Sequence, residues 1–234
     1  LIGKICVKQH KHFEAMKFYD KMIAEIPEKQ SIEAVHAYNL KGDIYLEKAK
    51  STTDKEERAI NINLAGKAHD EARRLAGILE IDEGTIEEFI NWRSRGNMTE
   101  LRDEEPKAAV RLNKRAIEVL KKLFPNTVSI DLAFCLASVG YGHFREGQRQ
   151  GGIMGDDLIK VEQYQKSIEA YTEAATIFKT RPHPIDLFFI YYYIARAAIG
   201  LKNYDLALEN AENITKCHKQ SHYLSDHVKG MVMR

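Results

Sequence analysis

The sequence predicts an all-α chain built from antiparallel helix pairs, and three observations carry that prediction. Ala, Leu, Ile, Lys and Glu are abundant, against 5 prolines and 14 glycines in 234 residues. No segment alternates apolar and polar residues over the length of a strand. Finally, three segments align without gaps: Ile32-Glu33 leads to Gly42, Ile130-Asp131 to Gly140, and Ile185-Asp186 to Ala195, each after ten residues. A large residue stands four before each small one (Tyr38, Leu136, Tyr191), and each segment follows a proline (Pro27, Pro125, Pro182). Proline ends one helix and sets the turn before the next, so the order helix, turn, helix recurs.

Taken in order, the pairs are expected at 1–27, 30–80, 84–124, 127–180 and 183–219, with a capping segment at 221–234, all in one domain over 1–234. His12–Ile26 places Ala15, Tyr19 and Met22 on one face. The polar stretch around Ser51-Thr52-Thr53-Asp54 separates the helices of the second pair, with Asp54 and Glu57 capping the second of them. Thr85-Ile-Glu-Glu88 is a second capping box. Asn97–Pro106 has the look of a loop, and Lys107–Phe124 of an apolar-faced helix that stops at Pro125. The glycine-rich run G-Q-R-Q-G-G-I-M-G-D-D at 147–157 predicts a mobile loop; the alternative is that the flanking helices extend by a turn or two. Ser167, Tyr171 and Ala174 repeat the spacing of Ala15, Tyr19 and Met22.

The last pair, Pro182–Lys219, joins a helix that is apolar almost all round (Leu187–Ala195) to an amphipathic one with Leu206, Ala207, Ala211 and Ile214 on one face. Small residues fall where the two would touch: Ala195, Ala198, Ala207 and Ala211. Tyr191 and Ile194 are expected in the core.

At these residues the chain resembles the tetratricopeptide repeat (TPR), a helix–turn–helix unit of about 34 residues. The match lies in spacing: Tyr191, then Ala195, Ala198, Ala207, Ala211 and Ile214 stand at the family's steps. Two other repeats depart from it. Gly42 to Ala65 is 23 residues and Gly140 to Ser167 is 27, where the family step is twelve. A weaker unit is proposed from Trp92, Gly96 and Ala108. The resemblance implies a TPR-like right-handed α-solenoid that binds a peptide or partner protein in a concave groove lined by the first helix of each pair. Carried over by offset from each small residue, the groove set is His36, Asn39, Asp43, Arg93, Asn97, Tyr141, Arg145, Phe189, Tyr192 and Arg196, with Phe134 and Ala137 at equivalent steps. The arginines and asparagines would bond a peptide backbone or carboxylate. The tyrosines and Phe189 would supply apolar anchors.

Other chemistries are weakly supported. Charged residues make up 29% and the net charge is +1, which gives no reason to expect a nucleic acid or an anionic membrane as partner. No apolar run approaches the ~20 residues of a membrane span. Three separated cysteines (Cys6, Cys135, Cys217) suit reduced thiols of a cytoplasmic protein better than a disulfide framework. The 147–157 run lacks the Gly-Lys-Ser/Thr ending of a phosphate loop and follows no strand. Cys217, His218, His222 and His227 approach metal-ligand spacing without a fixed acidic ligand, and a solvated helix end is the better account. Cys135 lies in an apolar run, where a thiol packs as a small hydrophobe. Neither catalysis nor a cofactor or metal is therefore expected.

The chain opens on Leu1 in mid-pattern and is expected to be a piece of a longer protein. The functional expectation is a protein-interaction scaffold or adaptor. The alternative is a ligand- or peptide-sensing regulatory domain of a larger transcription factor, ATPase or effector. A helical enzyme is a third class. Oligomeric state is left open.

Overall fold

The computed structural model describes residues 12–25, 31–78, 88–90, 92–93, 96–97, 106–125, 129–150, 157–180 and 184–220. Every element among them is helical: α1 (His12–Glu25), α2 (Ile32–Ser51), α3 (Lys55–Ile78), α4 (Pro106–Leu123), α5 (Ile130–Gln150), α6 (Asp157–Thr180), α7 (Pro184–Gly200) and α8 (Tyr204–Gln220). Residues 88–90, 92–93 and 96–97 are helical as well. The capping box at Thr85, the greater part of 97–106, the segment 221–234 and the first half of the pair at 1–27 lie outside the described residues. The chain divides into two compact units, Leu1–Asn126 and Thr127–Arg234.

Local chemistry sets the helix starts. The Ser31 hydroxyl accepts a hydrogen bond from the Ala34 amide (3.2 Å) and caps α2. Asp54 accepts from the amides of Glu56 (2.8 Å) and Glu57 (3.3 Å) and caps α3, as the sequence predicts. Ser129 caps α5 through the Leu132 amide (3.2 Å). Pro106, which needs no amide partner, opens α4.

In the first unit, α1 packs Ala15, Met16 and Tyr19 against Ile44 of α2. Ala34 and Val35 at the start of α2 cluster with Ala72 and Leu75 near the end of α3. Further along α2, Gly42 faces His69. The pairing therefore runs antiparallel. The connection between them is only 52–54, so the extra residues of this repeat lengthen both helices. α4 buries one face through Ala109, Val110, Asn113, Ala116, Ile117 and Leu120. It lies against the 88–97 segment: a Cβ on Gly96 would come within 2.7 Å of Asn113 Cγ, and Arg115 lies 3.5 Å from Glu88.

In the second unit, Phe134 and Phe178 meet edge-on (5.2 Å), Gly140 faces Ser167 and Tyr171, and Gly147 faces Tyr164. α5 and α6 are thus antiparallel too, and the Ser167 hydroxyl donates to the Gly140 carbonyl at 2.8 Å. The expected loop beginning at Gly147 is corrected: α5 continues through Gln150 and α6 starts at Asp157. Gly147 is needed inside the helix because a Cβ there would lie 2.8 Å from the Tyr164 ring. Close approach of the helices, and no turn, accounts for that glycine.

α7 ends in a tight reversal. The Asn203 amide donates to the Ala198 carbonyl (2.9 Å) and the Lys202 amide to that of Ile199 (3.0 Å), with Lys202 in the left-handed region (φ 59°). This is a Schellman closure whose left-handed position is normally glycine. Asn203 then caps α8 by accepting from the Leu206 amide (3.1 Å). Lys202→Gly is expected to stabilise the chain by about 1 kcal/mol by removing that backbone strain. An unchanged urea midpoint would contradict it.

Burial supports most of the expected core. Tyr191, Ile194, Ala195, Ala198 and Ala207 are buried. Ala211 is not: it faces outward, and the inward line of α8 runs through Ala207, Asn210 and Cys217. Asn210 is tolerated there because its side-chain amide donates to the Leu206 carbonyl one turn back (2.8 Å). The side-chain amides of Asn61 and Asn113 donate in the same way, to the Glu57 and Ala109 carbonyls. Ala195→Leu is expected to overpack the inner side of α7 and cost about 1–3 kcal/mol. Denaturation with no loss would show that this side has spare room.

Candidate functional site

The candidate groove residues fall into separate clusters. On α2, His36, Asn39 and Asp43 share a face at steps of three and four. Asn39 is only 1% exposed, which corrects its assignment to an open surface: it lies between α2 and α3, with its Oδ1 3.3 Å from His69 Nδ1. The other ring nitrogen of His69 is 3.7 Å from Asp43 Oδ1, and the ring is fully buried. Asn39 and Asp43 therefore brace a core histidine. His36 is half-buried one turn earlier. Arg93 holds its guanidinium 5.4 Å from the centre of the Phe89 ring, and Asn97 is half-buried beside Gly96.

The second unit brings four of the candidates together. Tyr141 and Arg145 stand one turn apart on α5, as do Tyr192 and Arg196 on α7. Arg145 Nη1 donates to the Tyr141 hydroxyl (3.4 Å) and Arg196 Nη1 to the Tyr192 hydroxyl (3.3 Å). Between these pairs stands Tyr193, whose ring lies 5.3 Å from both Tyr141 and Tyr192. Tyr193 also stacks on Tyr171 of α6 (5.6 Å, 3° between planes) and meets Phe144 at 5.2 Å. Arg196 reaches back across α5, its guanidinium 5.1 Å from the Phe144 ring centre. Phe189, on the same face of α7 as Tyr192 and Arg196, is half-buried and sits edge-on to Phe188 (5.6 Å). Arg196 is exposed, while Tyr141, Arg145, Tyr192 and Tyr193 are half-buried, so the cluster is accessible.

Sequence reasoning missed Tyr193 and Phe144. Three consecutive tyrosines on a helix point in directions about 100° apart, so they cannot share one role. That signal separates Tyr193 from its neighbours without saying which helix it meets.

The electrostatics centre on Tyr193. Burial pushes its phenol up to about 12, the tyrosines at 141 and 192 add to the rise, and the guanidiniums of Arg196 and Arg145 oppose it. A raised value means that the folded state favours the neutral phenol. Its stabilising contribution is complete below about pH 10, the ordinary tyrosine value, and is lost as pH climbs towards 12. Stability is therefore expected to fall between pH 10 and 12, with the Tyr193 phenol among those that ionise late by absorbance, and Tyr193→Phe should flatten that part of the profile. Equal slopes in the two proteins would contradict the assignment.

The Cys217 thiol is buried, and burial raises it, which keeps it in the unreactive thiol form. Histidines 222 and 227 lie outside the described residues. Among the described residues no helix is long and apolar enough to cross a membrane.

Against known proteins, no family model and no curated sequence matches the chain. Among solved structures it is similar to BtubC (BKLC) from P. vanneervenii, with a TM-score of 0.65 at 10% identity over 95% of this chain and 79% of that one. At that identity the likeness is one of fold.

Proposed function

We propose that the chain is a TPR-like right-handed α-solenoid that acts as a protein-interaction scaffold, capturing a peptide or partner protein along the first helices of its pairs. The observation that carries the reading is the accessible face of α5 and α7. Tyr141, Arg145, Tyr192 and Arg196, which occupy the repeat's groove offsets in two different pairs, converge there around Tyr193. Aromatic rings and arginines are the side chains that most often dominate binding energy at protein interfaces. A half-buried ring also loses little conformational freedom when a partner covers it.

Panels of short overlapping peptides provide the test. The chain should bind a defined subset, and Phe189→Ala with Tyr192→Ala should weaken that binding about tenfold or more while the melting temperature stays close to that of the parent. Failure of every peptide to bind, or undiminished binding by the double variant, would remove the groove reading.

A further inference from the structure

The balanced charge of the whole chain hides a local concentration. α4 carries six basic side chains and one acidic one, Glu118, in 18 residues, a net +5 in a chain whose total is +1. Every other described helix balances to within one charge, so the chain outside α4 is net acidic. Burial of Ala109, Val110, Ala116, Ile117 and Leu120 turns the charged side of α4 outward. Arg111, Lys114, Lys121 and Lys122 are exposed and fall within an arc of about 100°. Only Lys107 and Glu118 share that arc, so no apolar side chain interrupts it. Glu118 is engaged by Arg115 (3.2 Å), which also reaches Glu88 (3.5 Å). Arg111, Lys114, Lys121 and Lys122 meet no carboxylate among the described residues. Helix chemistry accounts for half of them: Lys121 and Lys122 stand in the last turn, where cations suit the helix dipole. Arg111 and Lys114 stand in the middle, three residues apart, and like charges at that step work against the helix.

We infer that the outer face of α4 is a docking surface for an acidic segment of a partner protein. The row from Arg111 to Lys122 runs about 16 Å along the helix axis, and carboxylates at three- and four-residue steps of a partner helix cover the same length. Complementary charge of this kind steers encounter and selects the partner more than it adds affinity. A bilayer is the poorer match, because a surface helix that binds lipid sets an apolar face beside its cations and this arc holds none. A nucleic acid is poorer for two reasons. No aromatic side chain lies in the arc to stack on a base, and Glu118 sits in its middle, where a continuous phosphate backbone would meet it. Both of those surfaces also extend far beyond 16 Å, over a chain that is otherwise net acidic. A short acidic segment stays within the row. α4 is the second helix of its pair, so this surface lies outside the groove set and stands or falls apart from it.

A labelled peptide of about four helical turns, with glutamate recurring at three- and four-residue steps, tests the surface on the full chain by fluorescence anisotropy. It should bind about tenfold or more tighter than the same peptide with glutamine in place of glutamate, and the difference should shrink as salt rises from about 50 to about 500 mM. Arg111→Gln with Lys114→Gln should lower its affinity about fivefold or more. The melting temperature of that variant should be unchanged or raised, since a like-charge contact is removed. Lys55→Gln with Lys67→Gln, which removes the same charge from exposed positions of α3, should leave the affinity near that of the parent. Equal binding of the two peptides, or equal losses in the two double variants, would overturn the inference, because net charge alone would then explain the attraction. Duplex DNA and phosphatidylserine-containing vesicles, titrated at the same ionic strength, should bind more weakly than the glutamate peptide. Tighter binding of either one, abolished by Arg111→Gln with Lys114→Gln, would overturn the choice of a protein partner.

Discussion

Tyr164→Ala is expected to cost the second unit about 3–5 kcal/mol, the range for emptying a buried aromatic site. Tyr164 is 7% exposed, and its ring fills a gap formed by three helices. On one side it meets Gly147 of α5, where a Cβ would lie 2.8 Å away. On another it meets Gly200 at the end of α7, where a Cβ would come within 2.8 Å of Cδ2. Phe144 closes the site at 5.8 Å, and Ala197 completes the cluster. Two glycines leave room for one ring, so the surrounding backbone cannot easily collapse into the space that alanine leaves. A loss of about 3 kcal/mol corresponds to a urea midpoint lowered by about 1 M or more. Tyr164→Phe keeps the ring and should cost far less. A loss below about 1 kcal/mol for the alanine variant would show that the ring is dispensable and that the glycines answer to something else.

Gly42→Ala is the second large effect, expected at about 1–3 kcal/mol of overpacking, offset by up to about 1 kcal/mol of improved helix propensity. The added Cβ would lie 2.5 Å from His69 Cε1 and 2.8 Å from Cδ2. His69 cannot swing aside cheaply: it is fully buried, and its two ring nitrogens face Asn39 at 3.3 Å and Asp43 at 3.7 Å. Separation of α2 from α3 is the remaining way to relieve the contact. The double variant Gly42→Ala with His69→Ala should recover part of the loss, because the second change removes the ring that the first one strikes. Fluorescence of Trp92, the single tryptophan and a residue of the first unit, gives a local readout of unfolding. Strictly additive costs would mean that Gly42 and His69 do not press on one another.

Both effects show where sequence pattern is informative and where it stops. The small residues at 42, 140 and 195 are visible by spacing, and at the two glycines each proves to be a point of close helix approach. The partner at that approach is visible only for Gly140, through Ser167 and Tyr171. At Gly42 it is a histidine, which no apolar pattern selects. Gly147 misleads for a related reason. Glycine weakens helices in general, so a run containing four of them suggests a loop. The ring of Tyr164, seventeen residues away, makes glycine the residue that helix contact requires.

The candidate site divides in the same manner. Tyr141, Arg145, Tyr192 and Arg196 are legible as a set, because offsets within a helix repeat carry a side chain to the same face each time. Asn39 obeys the same offset and yet is buried, since its helix face is covered by α3 and His69. Tyr193 obeys none and stands at the centre of the cluster.

What the sequence by itself determined is local: the capped helix start at Asp54, the helix end before Pro125, most of the apolar lines, and the small residues at 42 and 140 where two helices touch. These depend on atoms within a few residues of one another, and composition and spacing record them directly. What only the tertiary structure decided is which polar groups are buried and which rings meet. His69 and Tyr193 are placed by partners roughly thirty to fifty residues away in the chain, and burial of a polar group is tolerable only once such a partner is in place. No window of sequence contains that partner, so the balance between desolvation and the regained hydrogen bond or ring contact is settled when the helices pack.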